Sequence, residues 1–403
     1  MNTEQEIKVV DKYSAKNYKP LPVVLCEGNG IWVTDLEGNK YVDMLSGYSS
    51  LNHGHRHPKI INALIEQAGK ITMTSRAFHN DKMGLFLQKL CDFSGFEKAL
   101  PMNTGAEAVE TAIKAARKWA KVNKNITDSE IIAFNDNFHG RTITAISFSS
   151  EKQYRDGFGP YTPGFVLANY GDIAGVEKLI NEKTIAIILE PIQGEAGVIV
   201  PPKGFLKQVR DLCTKHEILM IIDEVQTGFG RTGKNFCYEH ENIKPDIVVV
   251  GKALGGGVYP VSAIICNDRI MSVFKPGDHG STFGGNPLAA AIGIAALDVL
   301  VDEKMVENSA ELGEYFLNKL KTIECDAIKE VRGNGLMIGL EIKKEYGGAR
   351  KYCEALMEKG LLCKETHEQV IRFTPPLIIT KQELDDAFNK INEVICEVSK
   401  QDK

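Results

Sequence analysis

Short apolar runs alternate with helical stretches through the middle of this chain, and that alternation constrains its fold most. β-branched runs fall at 130–134, 184–189, 218–222 and 246–250. Between them lie segments with apolar residues at helical spacing, such as 104–121 and 203–216. Strands that alternate with helices imply an α/β fold, with a mostly parallel sheet covered by helices on both faces. The flanks read differently. Residues 30–44 form a hairpin pattern that turns at Glu37–Asn39. Asn286-Pro287 opens a long apolar helix, with proline in its first turn. Beyond it come strands near 335–342 and 369–373 and a helix from 381. A chain of 403 residues has room for two domains. The expected division is a large domain over 55–301 and a smaller α+β domain over 302–403. The segment 1–54 joins the smaller one.

Bulk properties exclude several classes. Forty-eight basic and 53 acidic residues leave a net charge of −5, which argues against a nucleic-acid partner. No apolar run approaches the roughly 20 residues that span a bilayer. The first twenty residues mix both charges and have no apolar core, so they resemble neither a signal nor a transit peptide. Nine cysteines with no Cys-x-x-Cys pair fit free thiols in a reducing cytoplasm, and no metal site is expected.

Ligands of open α/β sheets bind beyond the carboxyl ends of the strands. Three polar side chains fall there. Glu190 ends Ile-Ala-Ile-Ile-Leu-Glu, Asp223 ends Leu-Met-Ile-Ile-Asp, and Lys252 follows Ile-Val-Val-Val-Gly. A lysine that forms a Schiff base and an aspartate that holds a pyridinium nitrogen are what a pyridoxal phosphate enzyme needs. Gly255–Gly257 follow Lys252 and are expected to leave room for something flat. Thr104 and Glu107 have capping-box spacing, and Gly105 lets an anion approach the free N–H groups at the helix start. Ser281-Thr282-Phe283-Gly284-Gly285-Asn286 has the same logic. Phe138 is a candidate to stack on a ring. Arg141 and Arg372 are candidate carboxylate clamps.

Together these residues resemble the class III, fold type I pyridoxal-phosphate aminotransferases, from about residue 17 to 395. The segment Ile221 to Gly228 and Lys252 carry the resemblance most specifically. It implies a seven-stranded sheet in the large domain and pyridoxal 5'-phosphate as cofactor. Asn17 to Val23 and Leu45 to Ser49 are similar to the members that act on ornithine, whose two tyrosines, here Tyr18 and Tyr48, line the substrate pocket. The implied reaction passes the δ-amine of L-ornithine to 2-oxoglutarate by a ping-pong route, a step of proline and arginine metabolism. Acetylornithine or 4-aminobutyrate is the alternative amino donor.

The resemblance also implies roles. Lys252 would bind the cofactor aldehyde and move the proton. Asp223 would keep the ring nitrogen protonated, and Gln226 would contact the ring hydroxyl. Gly105 and Ala106 would give backbone N–H groups to the phosphate, and Thr282 of a second subunit in a homodimer would complete that site; Thr104 and Ser281 are also expected among the cofactor-binding residues. Phe138 would stack on the ring. Arg141 would bind the distal carboxylate of 2-oxoglutarate, and Arg372 the α-carboxylate. Glu195 would pair with Arg372 when ornithine is bound and release it for the dicarboxylate. His53 and His139 stand where the family leads one to expect glutamine and tryptophan. Both are expected at the pocket edge, away from any catalytic residue.

Overall fold

The structure, a computed structural model, describes residues 2–400. Its centre is a seven-stranded sheet. The strand order is Lys98–Met102, Ser262–Cys266, Ile247–Val250, Leu219–Asp223, Thr184–Leu189, Glu130–Phe134, Phe165–Ala168. Ser262–Cys266 runs antiparallel to both neighbours, and every other pairing is parallel. All residues of the four strands from Thr184–Leu189 to Ser262–Cys266 are buried. A sheet covered on both faces needs such unbroken apolar strands, which is why they stand out in the sequence. Lys98–Met102 and Phe165–Ala168 are the edges, and their half-exposed residues weaken the pattern.

Helix Gly105–Lys124 lies on one face and buries Ala108, Ala112, Ala115 and Ala116. Small side chains there let the helix sit close to the sheet. Thr104 caps it, with the reciprocal Glu107 bond of a capping box. Asn286 caps helix Pro287–Asp302, which packs against Pro58–Ala68 and Met83–Ser94 on the other face.

Two four-stranded sheets complete the fold. Leu25–Asn29, Trp32–Asp35 and Lys40–Asp43 form an antiparallel meander, and Leu361–Leu362 adds to it in parallel. The two ends of the chain therefore share one sheet. Ile328–Asn334, Met337–Ile342, Val370–Phe373 and Lys364–Thr366 form the other.

Two expectations need correction. The glycine run after Lys252 makes no space for a ligand. Gly256 and Gly257 have φ of +59° and +70°, and a Cβ on Gly256 would meet Ile60 at 2.9 Å. The run is a close-packed bend against helix Pro58–Ala68. His53 is not at a pocket edge either. It is buried and its Nε2 lies 3.0 Å from the Ala296 carbonyl. Burial pushes its pKa down to about 4.

Candidate active site

At the carboxyl ends of the parallel strands lies a cavity of about 190 Å³. Gly105, Ala106, Phe138, His139, Glu190, Asp223, Gln226 and Lys252 are among its lining residues. They come from different strand ends and from the start of helix Gly105–Lys124. A Cβ on Gly105 would meet Val225 at 2.9 Å, so only glycine keeps the helix start this close to the Asp223 strand. The free N–H groups and the helix dipole there favour an anion. Thr104 is exposed and acts as the cap, outside the cavity lining.

Asp223 is held on both oxygens. Its Oδ2 lies 2.7 Å from Nδ1 of His139, and its Oδ1 accepts from the Val225 N–H at 3.0 Å. This overturns the expectation that His139 stays clear of catalytic residues. Its side chain is completely buried, directly behind Asp223. Burial alone would lower the His139 pKa, but the bond to Asp223 and the charges of Asp223 and Glu190 outweigh it and raise it. Glu190 accepts from the Phe138 N–H at 2.9 Å, and burial raises its pKa to about 7. Lys252 opens a 3-10 turn with φ +46°. A left-handed, non-glycine residue costs of order 1–3 kcal/mol and persists where the surroundings impose it. Burial lowers the Lys252 pKa, against the pull of Glu195 and Asp223. Burial thus favours the uncharged, nucleophilic form of this amine more than water would.

A second, wider cavity of about 710 Å³ opens beside the first. Tyr18, Tyr48, Arg141, Tyr154 and Glu195 are on its walls. Arg372 lies underneath, 1 % exposed, and its guanidinium donates to Glu195 at 2.7 Å and to Gln226 Oε1 at 3.3 Å. Gln226 Nε2 donates to the same Glu195 carboxylate at 3.0 Å. Burial would raise the Glu195 pKa, but Arg372 and Lys252 hold it down at about 2. Tyr48 sits over Arg372, with 4.9 Å from guanidinium to ring centroid. The backbone that carries it is left-handed at four successive residues, with φ of 52°, 53°, 60° and 70° from Ser46 to Ser49. Arg141 lies over the rings of Tyr154 at 4.2 Å and Phe138 at 5.7 Å. It is exposed, so its charge faces the open cavity.

The structure thus gathers most of the expected residues at two adjoining cavities. Ser281 and Thr282 line neither cavity. Ser281 accepts from the Asn103 side chain at 2.8 Å, and Thr282 is exposed. Sequence reasoning missed Val225 and Tyr154, and it misplaced His139. No local pattern in the sequence marks the contact of His139 with Asp223, 84 residues further on.

A cavity with a lysine, an aspartate and an anion-receptive helix start fits pyridoxal phosphate. Class III aminotransferases depend on that group. A family model for class III aminotransferases matches residues 13–395, and the chain belongs to this family. It is 57 % identical over 394 residues to "Ornithine aminotransferase 2" of Staphylococcus saprophyticus, covering 97 % of this chain and 99 % of that protein. An ornithine aminotransferase structure from Toxoplasma gondii, with pyridoxal phosphate at partial occupancy, superposes with a TM-score of 0.98 at 42 % identity. That match covers 100 % of this chain and 96 % of the other. An acetylornithine aminotransferase from Elizabethkingia anophelis gives a TM-score of 0.90 at 47 % identity, covering 98 % and 100 %.

Proposed function

We propose that this transaminase moves the δ-amino group of L-ornithine to 2-oxoglutarate. The products are L-glutamate and glutamate 5-semialdehyde, which cyclises to pyrroline-5-carboxylate. The observation that carries the reading is the closed Arg372–Glu195 pair beneath Tyr48 at the mouth of the Lys252 cavity. Closed, it withholds Arg372 from a substrate carboxylate and leaves Tyr18 and Tyr48 to receive the amino-acid end of ornithine. Opened, it frees Arg372 for the α-carboxylate of glutamate or 2-oxoglutarate. Arg141 then clamps the distal carboxylate. The name of the staphylococcal relative supports ornithine.

When bound, pyridoxal phosphate supplies an aldehyde that captures the amine and a ring that draws electrons. The chain's residues do the rest. Lys252 would hold the cofactor and, once released from it, would serve as the base that moves the proton. Asp223 would accept a hydrogen bond from the ring nitrogen. Gln226 would contact the ring hydroxyl, and Phe138 would stack on the ring. Gly105 and Ala106 offer N–H groups to the phosphate. Ser281 and Thr282 would contribute to the phosphate site of a second copy, so that a homodimer would be the active unit. The exposure of Thr282 and its absence from the lining of its own chain's two cavities support that arrangement. A division at 54/55 and 301/302 belongs to the same proposal, supported by the pairing of Leu361–Leu362 with Val42–Asp43. So does work in the cytoplasm, in proline or arginine metabolism. No helix among the described residues is long and apolar enough to cross a membrane.

Titrating the holoprotein with L-ornithine tests the reading. The visible absorbance of the cofactor is expected to convert to that of its amine form. Conversion by N-acetylornithine or 4-aminobutyrate but not by ornithine would replace the substrate and keep the class.

A further inference from the structure

We propose that the basic face of helix Gly105–Lys124 binds a small phosphoryl polyanion of the size of diphosphate, apart from the cofactor and substrate cavities. An open cavity of about 500 Å³ lies between this helix, the turn at 126–129 and the segment 274–278. Lys114, Arg117, Lys118 and Lys121 reach it from successive turns of the helix. Their spacing puts all four cations on one face. Lys114 with Lys118, and Arg117 with Lys121, are like charges four residues apart. Such pairs weaken a helix unless an anion lies against them. At a rise of about 1.5 Å per residue, Lys114 stands roughly 13 Å along the axis from Gly105. The site is therefore distinct from the helix start offered to the cofactor phosphate.

The positive charge there is largely uncompensated. Two carboxylates share the cavity, and each is already paired: Asp278 with Lys118, and Asp128 with Lys183 at 2.6 Å. Lys114 donates to Nδ1 of His279 at 2.8 Å, and a ring nitrogen that accepts brings no negative charge. Arg117 donates to the Pro163 carbonyl at 2.6 Å and lies over the Phe165 ring at 5.1 Å, so its guanidinium is held in place. It is half-buried, its Nε is closed off from solvent without a partner, and burial lowers its pKa. Lys121 is exposed. Among the described residues no carboxylate pairs with Lys114, Arg117 or Lys121. A desolvated charge without a counter-ion is costly, and an arriving anion offsets that cost. A guanidinium fork beside mobile ammonium groups suits phosphoryl oxygens. Thr127 and Ser129 add hydroxyls at the rim, and Phe274 an apolar wall. With a net charge of −5 the chain as a whole repels anions, so any binding has to come from this face.

Calorimetric titration of the holoprotein with inorganic diphosphate tests the site, since the cofactor's own phosphate then fills the helix start. One site per chain is expected, weakening as chloride is raised. Arg117→Met should weaken binding about tenfold or more, the loss of one charge-assisted contact. Lys121→Glu, a change at an exposed position, should abolish it by reversing one charge. Arg141→Met, at the substrate rim, should leave it unchanged. No binding of diphosphate at concentrations up to about 10 mM would overturn the proposal. Equal affinity in wild type, Arg117→Met and Lys121→Glu would do the same. So would loss of binding in Arg141→Met, which would put the diphosphate at the rim. Citrate bound more tightly than diphosphate would overturn the phosphoryl assignment.

Discussion

The two adjoining cavities are built on opposite principles. Around Lys252 the charged groups are buried and tied to fixed partners: Asp223 to His139 and Val225, Glu190 to the Phe138 backbone. Around Arg372 the guanidinium donates to the Gly194 carbonyl and to the side chains of Gln226 and Glu195, and its charged partner, Glu195, is 25 % exposed beside open space. The first arrangement holds one geometry. The second can exchange an internal carboxylate for a substrate's. A cofactor that stays through every turnover needs the former. Two substrates of different charge that share one mouth need the latter.

The largest break comes from removing Lys252. Lys252→Ala should lose roughly 10²–10⁴-fold in turnover from proton transfer alone, measured as steady-state kcat. It should leave the rim intact, so 2-oxoglutarate still binds by calorimetry. Next is Glu195→Ala. Arg372 would remain buried with its charge uncompensated, which costs about 3 kcal/mol of stability in urea unfolding. The pair's own pH window is low. Glu195 is held at about 2 against an ordinary 4.5, so its contribution is complete above the ordinary value and fades only as pH falls toward 2. KM for 2-oxoglutarate should therefore show no step from Glu195 near neutral pH.

Glu190 behaves oppositely. Its pKa is raised from 4.5 to about 7, so its neutral form favours the folded state at low pH and that advantage is lost as pH rises through 7. The loss is on the order of 3 kcal/mol at most. Glu190→Gln should flatten the decline in stability across that window, read by thermal unfolding in a pH series. The smallest effect sharpens the rim. Tyr48→Leu removes the ring over Arg372, worth about 1 kcal/mol, and should raise KM for ornithine more than kcat falls.

The same contrast explains what the sequence disclosed. The runs ending at Glu190, Asp223 and near Lys252 were legible because a doubly covered parallel sheet demands unbroken apolar strands. The cap at Thr104 was legible because Glu107 answers it three residues on. The edge strands Lys98–Met102 and Phe165–Ala168 escaped notice, since most of their residues are not fully buried. His139 was misjudged because its partner is 84 residues away, and no local pattern announces a contact made by folding. The glycines after Lys252 were misread for a related reason. What they accommodate is Ile60, a residue from another helix. Local periodicity reveals the scaffold, but contacts between strand ends appear only in three dimensions.

The rim as a switch beside a fixed cofactor cavity is tested most directly by single-turnover absorbance of Glu195→Gln with each amino donor in turn. The account predicts that the ornithine half-reaction slows about tenfold or more while the glutamate half-reaction holds or quickens, because Arg372 is then always free. Equal slowing with both donors would contradict the switch and make Glu195 a structural partner only.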